Sequence, residues 1–222
     1  MNTSFLRWLP LAATLTFTIN ARAQQPTDQA MRTLFGSDHD VHNGGWGAPT
    51  ASYTRVLDQD AMLVGVRGGW IIDHRFTLGI AGHGLVTPVN NTSYDSYLVE
   101  KGRDLYDKSR FQMGYGGLLI EPIIAYRSPV HVSLPVLIGA GGCGYQTFTD
   151  LPDEWDPANW EDDVQAFFVV EPGIDLEVNM VKLVRLGLGV SYRYTSDVLL
   201  PATSKDALNG FNATFAVKVG VF

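Results

Sequence analysis

Cysteine is almost absent from this sequence: its 222 residues include only Cys143. One thiol cannot close an internal disulfide, nor can it build a cysteine-ligated metal or redox motif. Positive charge is scarce as well. Sixteen Lys and Arg face 23 Asp and Glu, for a formal net charge of −7. That balance excludes nucleic acid as a partner, because such binding is carried by Lys and Arg on phosphates. A long unbroken apolar run is also missing. Beyond the first 23 residues, the longest stretch without Asp, Glu, Lys or Arg is Ser128–Thr149, which contains Pro129, Pro135 and four glycines. Its V-H-V-S-L-P-V alternation has the period of a strand, not of a spanning helix.

The N-terminus reads as an export signal. Arg7 supplies a positive start, Trp8 to Ile19 form a short apolar core, and Ala21-Arg22-Ala23 offers a small-x-small cleavage site. That core falls short of the ~20 apolar residues a spanning helix needs. Residues 1–23 are therefore expected to be removed. Their loss takes away Arg7 and Arg22 and no acid, so the net charge moves to about −9. Residues 24–43 are polar and aperiodic, and are expected to form a periplasmic tail ahead of a domain spanning 44–222.

That domain is predicted to be all-β. Strand-like segments recur near Trp46–Arg55, Met62–Ile72, Phe76–Thr87, Phe111–Tyr126, Val130–Gln146, Val164–Asn179, Val184–Thr195 and Gly210–Phe222. Their phases are clean. Val184, Leu186, Leu188, Val190, Tyr192 and Tyr194 oppose Arg185, Gly187, Gly189, Ser191, Arg193 and Thr195. Met62, Val64, Val66, Trp70 and Ile72 likewise oppose a set with Gly65, Arg67 and Gly69. The connections alternate too. Joins at 73–75, 127–129 and 180–183 are tight, whereas 88–110, 147–163 and 196–209 are long, with 56–61 a short exception. Short turns on one side and long loops on the other predict an eight-stranded antiparallel up-and-down transmembrane β-barrel.

The alternative is a soluble barrel with water outside. "VVEPGIDLEVNM" (169–180) frames the choice, since Glu171, Asp175, Glu177 and Asn179 share one face while Ile174, Leu176 and Val178 share the other. An eight-stranded barrel is only just wide enough to fill with side chains. The glycine-rich, charged phase suits such a crowded lumen, and its opposite charges can pair there. Arg67, Arg185 and Arg193 are thus expected to meet Glu121, Glu171, Asp175 and Glu177 inside, with the apolar phases on lipid. Glu171 and Asp175 are each expected near one of those arginines. Trp70, Phe76 and Tyr126 near the turn end, with Phe168, Tyr192, Tyr194 and Phe211 near the loop end, read as two aromatic girdles. Pro122, Pro135 and Pro172 fall inside strands, where β-bulges are expected to accommodate them.

On this plan the chain resembles the small OmpA/OmpX-type barrels of Gram-negative outer membranes. More narrowly, it resembles a family of outer-membrane barrel proteins common in Bacteroidetes-type bacteria. The residues carrying the likeness are Thr33-Leu34-Phe35-Gly36, Gly44-Gly45-Trp46-Gly47-Ala48-Pro49, "VGVRGGWIIDHRFTLGIAGHGL" (64–85), "VVEPGIDLEVNM" and "VRLGLGVSYRY" (184–194). The resemblance implies fold and an outer-membrane location, with lipid and lipopolysaccharide as surroundings. It also implies insertion by the barrel-assembly machinery, which reads a C-terminal aromatic such as Phe222. Here, however, the residues alternating back from Phe222 are Gly220, Lys218, Ala216 and Thr214, while the apolar phase is Val221, Val219, Val217 and Phe215.

No catalytic, cofactor-binding or metal-binding set is assigned. His131-x-Ser133 is similar to the His and Ser of outer-membrane lipid A deacylases, but it follows a short turn and reads as lumen packing. The loop "TDLPDEWDPANWEDD" (149–163) gathers Asp150, Asp153, Glu154, Asp156, Glu161, Asp162 and Asp163 beside Trp155 and Trp160. Its spacing fits no EF-hand, and such runs are usually solvated loop surface. The expected function is non-enzymatic, either envelope structure or presentation of surface loops. Its rivals are a secreted lipocalin-like barrel holding an apolar ligand and an outer-membrane lipid-modifying hydrolase.

Overall fold

The protein is described by a computed structural model over residues 43–222, apart from 104, 106 and 149–162. Among the described residues, period-two alternation produces ten strands: β1 (Asn43–Val56), β2 (Gln59–Ile72), β3 (Phe76–Leu85), β4 (Val89–Asn90), β5 (Asp107–Ile124), β6 (Val130–Ser133), β7 (Val136–Phe148), β8 (Val164–Val181), β9 (Val184–Thr195) and β10 (Gly210–Val221). Every pairing is antiparallel between neighbours, and β1 pairs with both β2 and β10, which closes the sheet. β6 and β7 are two halves of one stave between β5 and β8, and β4 is a two-residue appendage on β5. The ring therefore has eight staves. It is an up-and-down transmembrane β-barrel.

The prolines behave differently from expectation. No register shift occurs at Pro122, Pro135 or Pro172, and the shifts lie instead at Asp107/Arg110 and Asn179/Val181. Ile123↔Ser133 and Ile120↔Val136 keep one register across the break at 134–135. A strand residue bonds through its backbone to one neighbour only, so a proline removes a single donor without displacing the chain. Its carbonyl still accepts. Leu134 N–H donates to Pro122 O at 2.9 Å and Gly173 N–H to Pro135 O at 2.8 Å.

Facing follows the charged phase. Glu171 and Asp175 point inward, while Ile174 is 55% exposed on the outer wall. Val66, Ile80, Phe168, Leu188 and Phe211 form part of the same exposed apolar belt. An apolar exterior around a polar interior is the arrangement of a membrane barrel. Buried Leu63, Ile71, Leu119, Leu137 and Phe167 share that interior with the charges, so it is not the wholly apolar lining that a lipocalin-like reading requires.

Glycines help make the narrow lumen possible, because some of them give their space to a polar neighbour. A Cβ on Gly189 would fall 1.9 Å from Asp175 Oδ1, and one on Gly65 would fall 2.5 Å from His83 Nδ1. At Gly117 the conflict is with the wall itself, as a Cβ would sit 2.2 Å from Ile138 O. At Gly84 nothing lies within 4 Å. Gly117→Ala is thus expected to destabilise the barrel by about 1–3 kcal/mol, the usual cost of overpacking. Gly84→Ala should be nearly silent. Urea midpoints of the two variants in detergent would check this, and equal midpoints would contradict it.

At the loop end an unforeseen helix, α1 (Thr92–Glu100), lies in the long β4–β5 connection. Asn91 caps it, its Oδ1 accepting from Ser93 N at 3.1 Å and Tyr94 N at 3.3 Å. Tyr94 and Leu98, one turn apart, are its buried residues. Among the described residues, no helix is long and apolar enough to cross a membrane.

Candidate functional site

Among the described residues, the predicted site residues meet in the lumen, which is organised in tiers. At the turn end, register places His131 opposite Glu177 and Ser133 opposite Asp175. Glu177 is fully buried and accepts from Ser133 Oγ at 2.8 Å, from His131 Nε2 at 3.1 Å and from Lys218 Nζ. Lys218 bridges to Glu121 as well. Arg185 Nη1 is 3.8 Å from Glu177. Because the carboxylate fixes the Nε2–H tautomer of His131, the Arg185 nitrogen 3.4 Å from that atom is a neighbour and not its donor. Below this group two aromatic rings close the lumen. Lys218 Nζ lies 4.0 Å from the Trp46 ring centre, and Arg185 Cζ lies 3.8 Å from that of Phe222.

The middle tier is the pair Arg67 Nη2–Asp175 Oδ2 at 2.8 Å. Beside it is a small cavity of about 30 Å³, lined in part by Arg67, His83, Glu171, Asp175 and Ser191. That volume holds about one or two waters.

In the upper tier Glu171 departs from expectation, since none of the arginines pairs with it. Its carboxylate accepts from Tyr115 Oη at 2.7 Å, Ser191 Oγ at 2.6 Å and Asn212 Nδ2 at 2.8 Å. Arg193 is held separately. It donates through Nε to Leu208 O at 2.6 Å and through Nη1 to Asn212 Oδ1 at 3.3 Å. Asn212 is the link between these two charges. A carboxylate given three neutral donors needs no cation in contact to be satisfied.

Above the tiers, the loop end is capped by packed aromatics. Tyr94 stacks on Tyr145 with ring centres 3.8 Å apart, and Phe111 meets Tyr145 edge-on at 5.2 Å. Asn91 Nδ2 donates to Tyr145 Oη at 2.6 Å and to Ala202 O at 3.0 Å, so the 86–106 and 196–209 connections meet over the mouth. Tyr94 Oη donates to Asp163 Oδ2 at 2.7 Å. Burial, and then that hydrogen bond, push the Tyr94 phenol above its ordinary range, which keeps it a neutral donor. Of the predicted acidic loop, Asp150, Asp153, Glu154, Asp156, Glu161 and Asp162 lie outside the described residues. Among the described residues, no cluster of three or more His, Cys, Asp or Glu is placed to hold a metal.

Sequence reasoning missed Lys218, Tyr115 and Asn212. Lys218 stands alone as a charge in a phase of Gly, Ala and Thr. Tyr115 and Asn212 carry no formal charge, so a search for charge pairs passes over them. His131 and Ser133 lie in the lumen, on the face their strand phase predicts. Both side chains bond to Glu177 and are sealed from solvent, and no hydrogen bond joins Ser133 to His131. A serine that donates to a carboxylate in a closed interior does not form the nucleophile–base arrangement of a hydrolase.

No protein-family model matches the sequence, and no curated protein matches it either. Solved structures do match. The crystal structure of Neisserial surface protein A superposes with a TM-score of 0.51 at 13% identity, covering 82% of this chain and 99% of that one. The fold is that of the small outer-membrane β-barrels. At this identity the likeness is one of fold. Looser superpositions reach the N-terminal β-barrel domain of Pseudomonas aeruginosa OprF, with a TM-score of 0.45, 9% identity and coverage of 82% and 99%. The attachment invasion locus protein Ail of Yersinia pestis gives a TM-score of 0.42, 9% identity and coverage of 80% and 96%.

Proposed function

We propose that this chain is a non-enzymatic outer-membrane protein, exported by way of residues 1–23. Its filled lumen holds the wall in register while its loop cap is presented outside the cell. The observation carrying this reading is the balance of the interior. Among the described residues, Arg67, Arg185, Arg193 and Lys218 accompany Glu121, Glu171, Asp175 and Glu177. Equal numbers of cations and carboxylates, ion-paired or hydrogen-bonded inside the wall and with aromatic rings packed at both ends, make a plug and not a path. A conducting lumen needs a continuous aqueous file, whereas the middle cavity has room for a water or two.

On this reading residues 24–42 form a periplasmic tail, Asn43 having joined β1, and the turn end faces the periplasm. The apolar belt contacts membrane lipid, with lipopolysaccharide around its upper half. Insertion proceeds by the barrel-assembly machinery, and membership of the Bacteroidetes-type barrel family fits the same plan. Phe222 enters the lumen phase on Arg185, so any reading of it by that machinery precedes closure of the barrel.

Two measurements test the proposal. Planar bilayers containing the purified protein should show no discrete conductance steps, and regular steps would refute the plug. In a Cys143→Ala background, Glu100→Cys should react with an impermeant maleimide on intact cells. Lys182→Cys should react only after the outer membrane is opened. The reverse pattern would invert the topology.

A further inference from the structure

The turn end carries a feature that the plug does not use. The β2–β3 turn at 73–75 and the β5–β6 turn at 125–129 lie side by side, tied by Ile123 N–H to Arg75 O at 2.7 Å. Between them stands the ring of Tyr126. Arg75 Cζ is 5.3 Å from its centre and Arg127 Cζ is 5.4 Å from it, while the His74 ring stacks at 6.0 Å with planes 4° apart. Two guanidinium groups thus share one aromatic ring.

Their local neutralisation is incomplete. Arg75 has Asp73 Oδ2 at 3.7 Å, with both side chains more than 60% exposed. Among the described residues, no carboxylate pairs with Arg127. Lys182, in the neighbouring β8–β9 turn, adds an exposed cation at the same end. Like charges gathered on one ring repel, and they are relieved when an anion joins them. The surroundings indicate which anion. Ile124 and Trp70, exposed at 53% and 55%, bring the apolar belt up to this rim. The cations therefore lie at headgroup depth beside hydrocarbon, where aromatic rings gather in membrane proteins.

We propose that His74, Arg75, Tyr126 and Arg127 form a docking site for the phosphate of an anionic phospholipid in the leaflet that the turn end touches. The guanidinium groups supply donors that match phosphate oxygens, and both pack against the Tyr126 ring. Ile124 and Trp70 pack against the acyl chains. An acidic peptide would meet the charges equally well but would gain nothing from the apolar rim below them. The site rests on the membrane-barrel reading, but not on which leaflet faces the periplasm.

The test is native mass spectrometry of the full chain in detergent, titrated with phosphatidylglycerol, phosphatidylcholine or inorganic phosphate. Phosphatidylglycerol should be retained in preference to phosphatidylcholine. An arginine near an anionic surface contributes about 1 kcal/mol, so Arg75→Gln and Arg127→Gln should each lower retention about fivefold. The double variant should lose more than either, and Arg55→Gln at the opposite end should change nothing. Inorganic phosphate should compete poorly. Equal retention by wild type and double variant would overturn the proposal, as would equal retention of the two lipids. Full competition by inorganic phosphate would assign the site to a free anion instead. Heat-modified migration on the same samples reports whether the barrel is closed. Arg127→Gln, altering an exposed side chain, keeps the test available if the double variant fails to fold. Inverted labelling of Lys182→Cys on cells would refute the proposed topology while leaving this site standing.

Discussion

Glu177→Ala is expected to be among the most damaging single substitutions in the barrel, at about 3–5 kcal/mol. Four side chains converge on this carboxylate: His131, Ser133, Lys218 and Arg185. Its removal leaves Lys218 with Glu121 alone and takes from Arg185 the carboxylate beside it. It also leaves a buried hydroxyl and an imidazole N–H without their acceptor. No water has easy access to replace it, since Trp46 and Phe222 close the lumen below. Glu177→Gln retains a hydrogen-bonding oxygen and should cost less than the alanine variant. Adding Arg185→Met to Glu177→Gln removes one charge of each sign and restores the balance. That pair should recover roughly 0.5–3 kcal/mol relative to the sum of the single effects. Urea unfolding followed by tryptophan fluorescence, together with heat-modified migration, would measure all of these. Strict additivity, or a silent Glu177→Ala, would mean that the tier contributes little to holding the wall.

How much of this was legible beforehand varies with the physics involved. Strand phase was legible because a membrane barrel writes a two-residue period over whole staves, and "VVEPGIDLEVNM" fixed its facing within a single strand. The seven predicted lumen charges all point inward for the same reason. Which of them touch was not legible, since contacts depend on stagger between staves and on neutral partners. Arg67 finds Asp175, but Glu171 is satisfied by Tyr115, Ser191 and Asn212. The bulges expected at the prolines are absent because each loses only one donor to one neighbour. The mouth was the least legible part. α1 has a weak apolar pattern, with only Tyr94 and Leu98 buried in nine residues. Its position is set by Asn91, whose side chain caps the helix and also reaches Tyr145 and Ala202.

The second large effect is expected on the outer wall, at Leu188. This residue is 63% exposed and pairs with Phe215 on β10 and Leu176 on β8. Along β9, Leu186 lies on the turn side of it, and Val190 and the Tyr192–Tyr194 girdle lie on the loop side. Leu188 is therefore close to the middle of the belt. A cation placed there has no lumen partner, because its side chain leaves the wall on the lipid side. Leu188→Arg should cost about 2–4 kcal/mol, the penalty for Arg or Lys at the bilayer midplane of a barrel. Its neighbour Gly187 faces inward, where a Cβ would lie 3.8 Å from Ala216 Cβ and 3.9 Å from Glu177 Cγ. Those are ordinary contacts, so Gly187→Ser should fit beside the Glu177 tier with little loss. Folding of the two variants into phospholipid vesicles, read as the fraction migrating in the heat-modifiable form, separates the faces. A soluble barrel would show the opposite order, with an exposed arginine at 188 tolerated and the membrane fraction unchanged. Equal folding yields for Leu188→Arg and Gly187→Ser would remove lipid from the outer face.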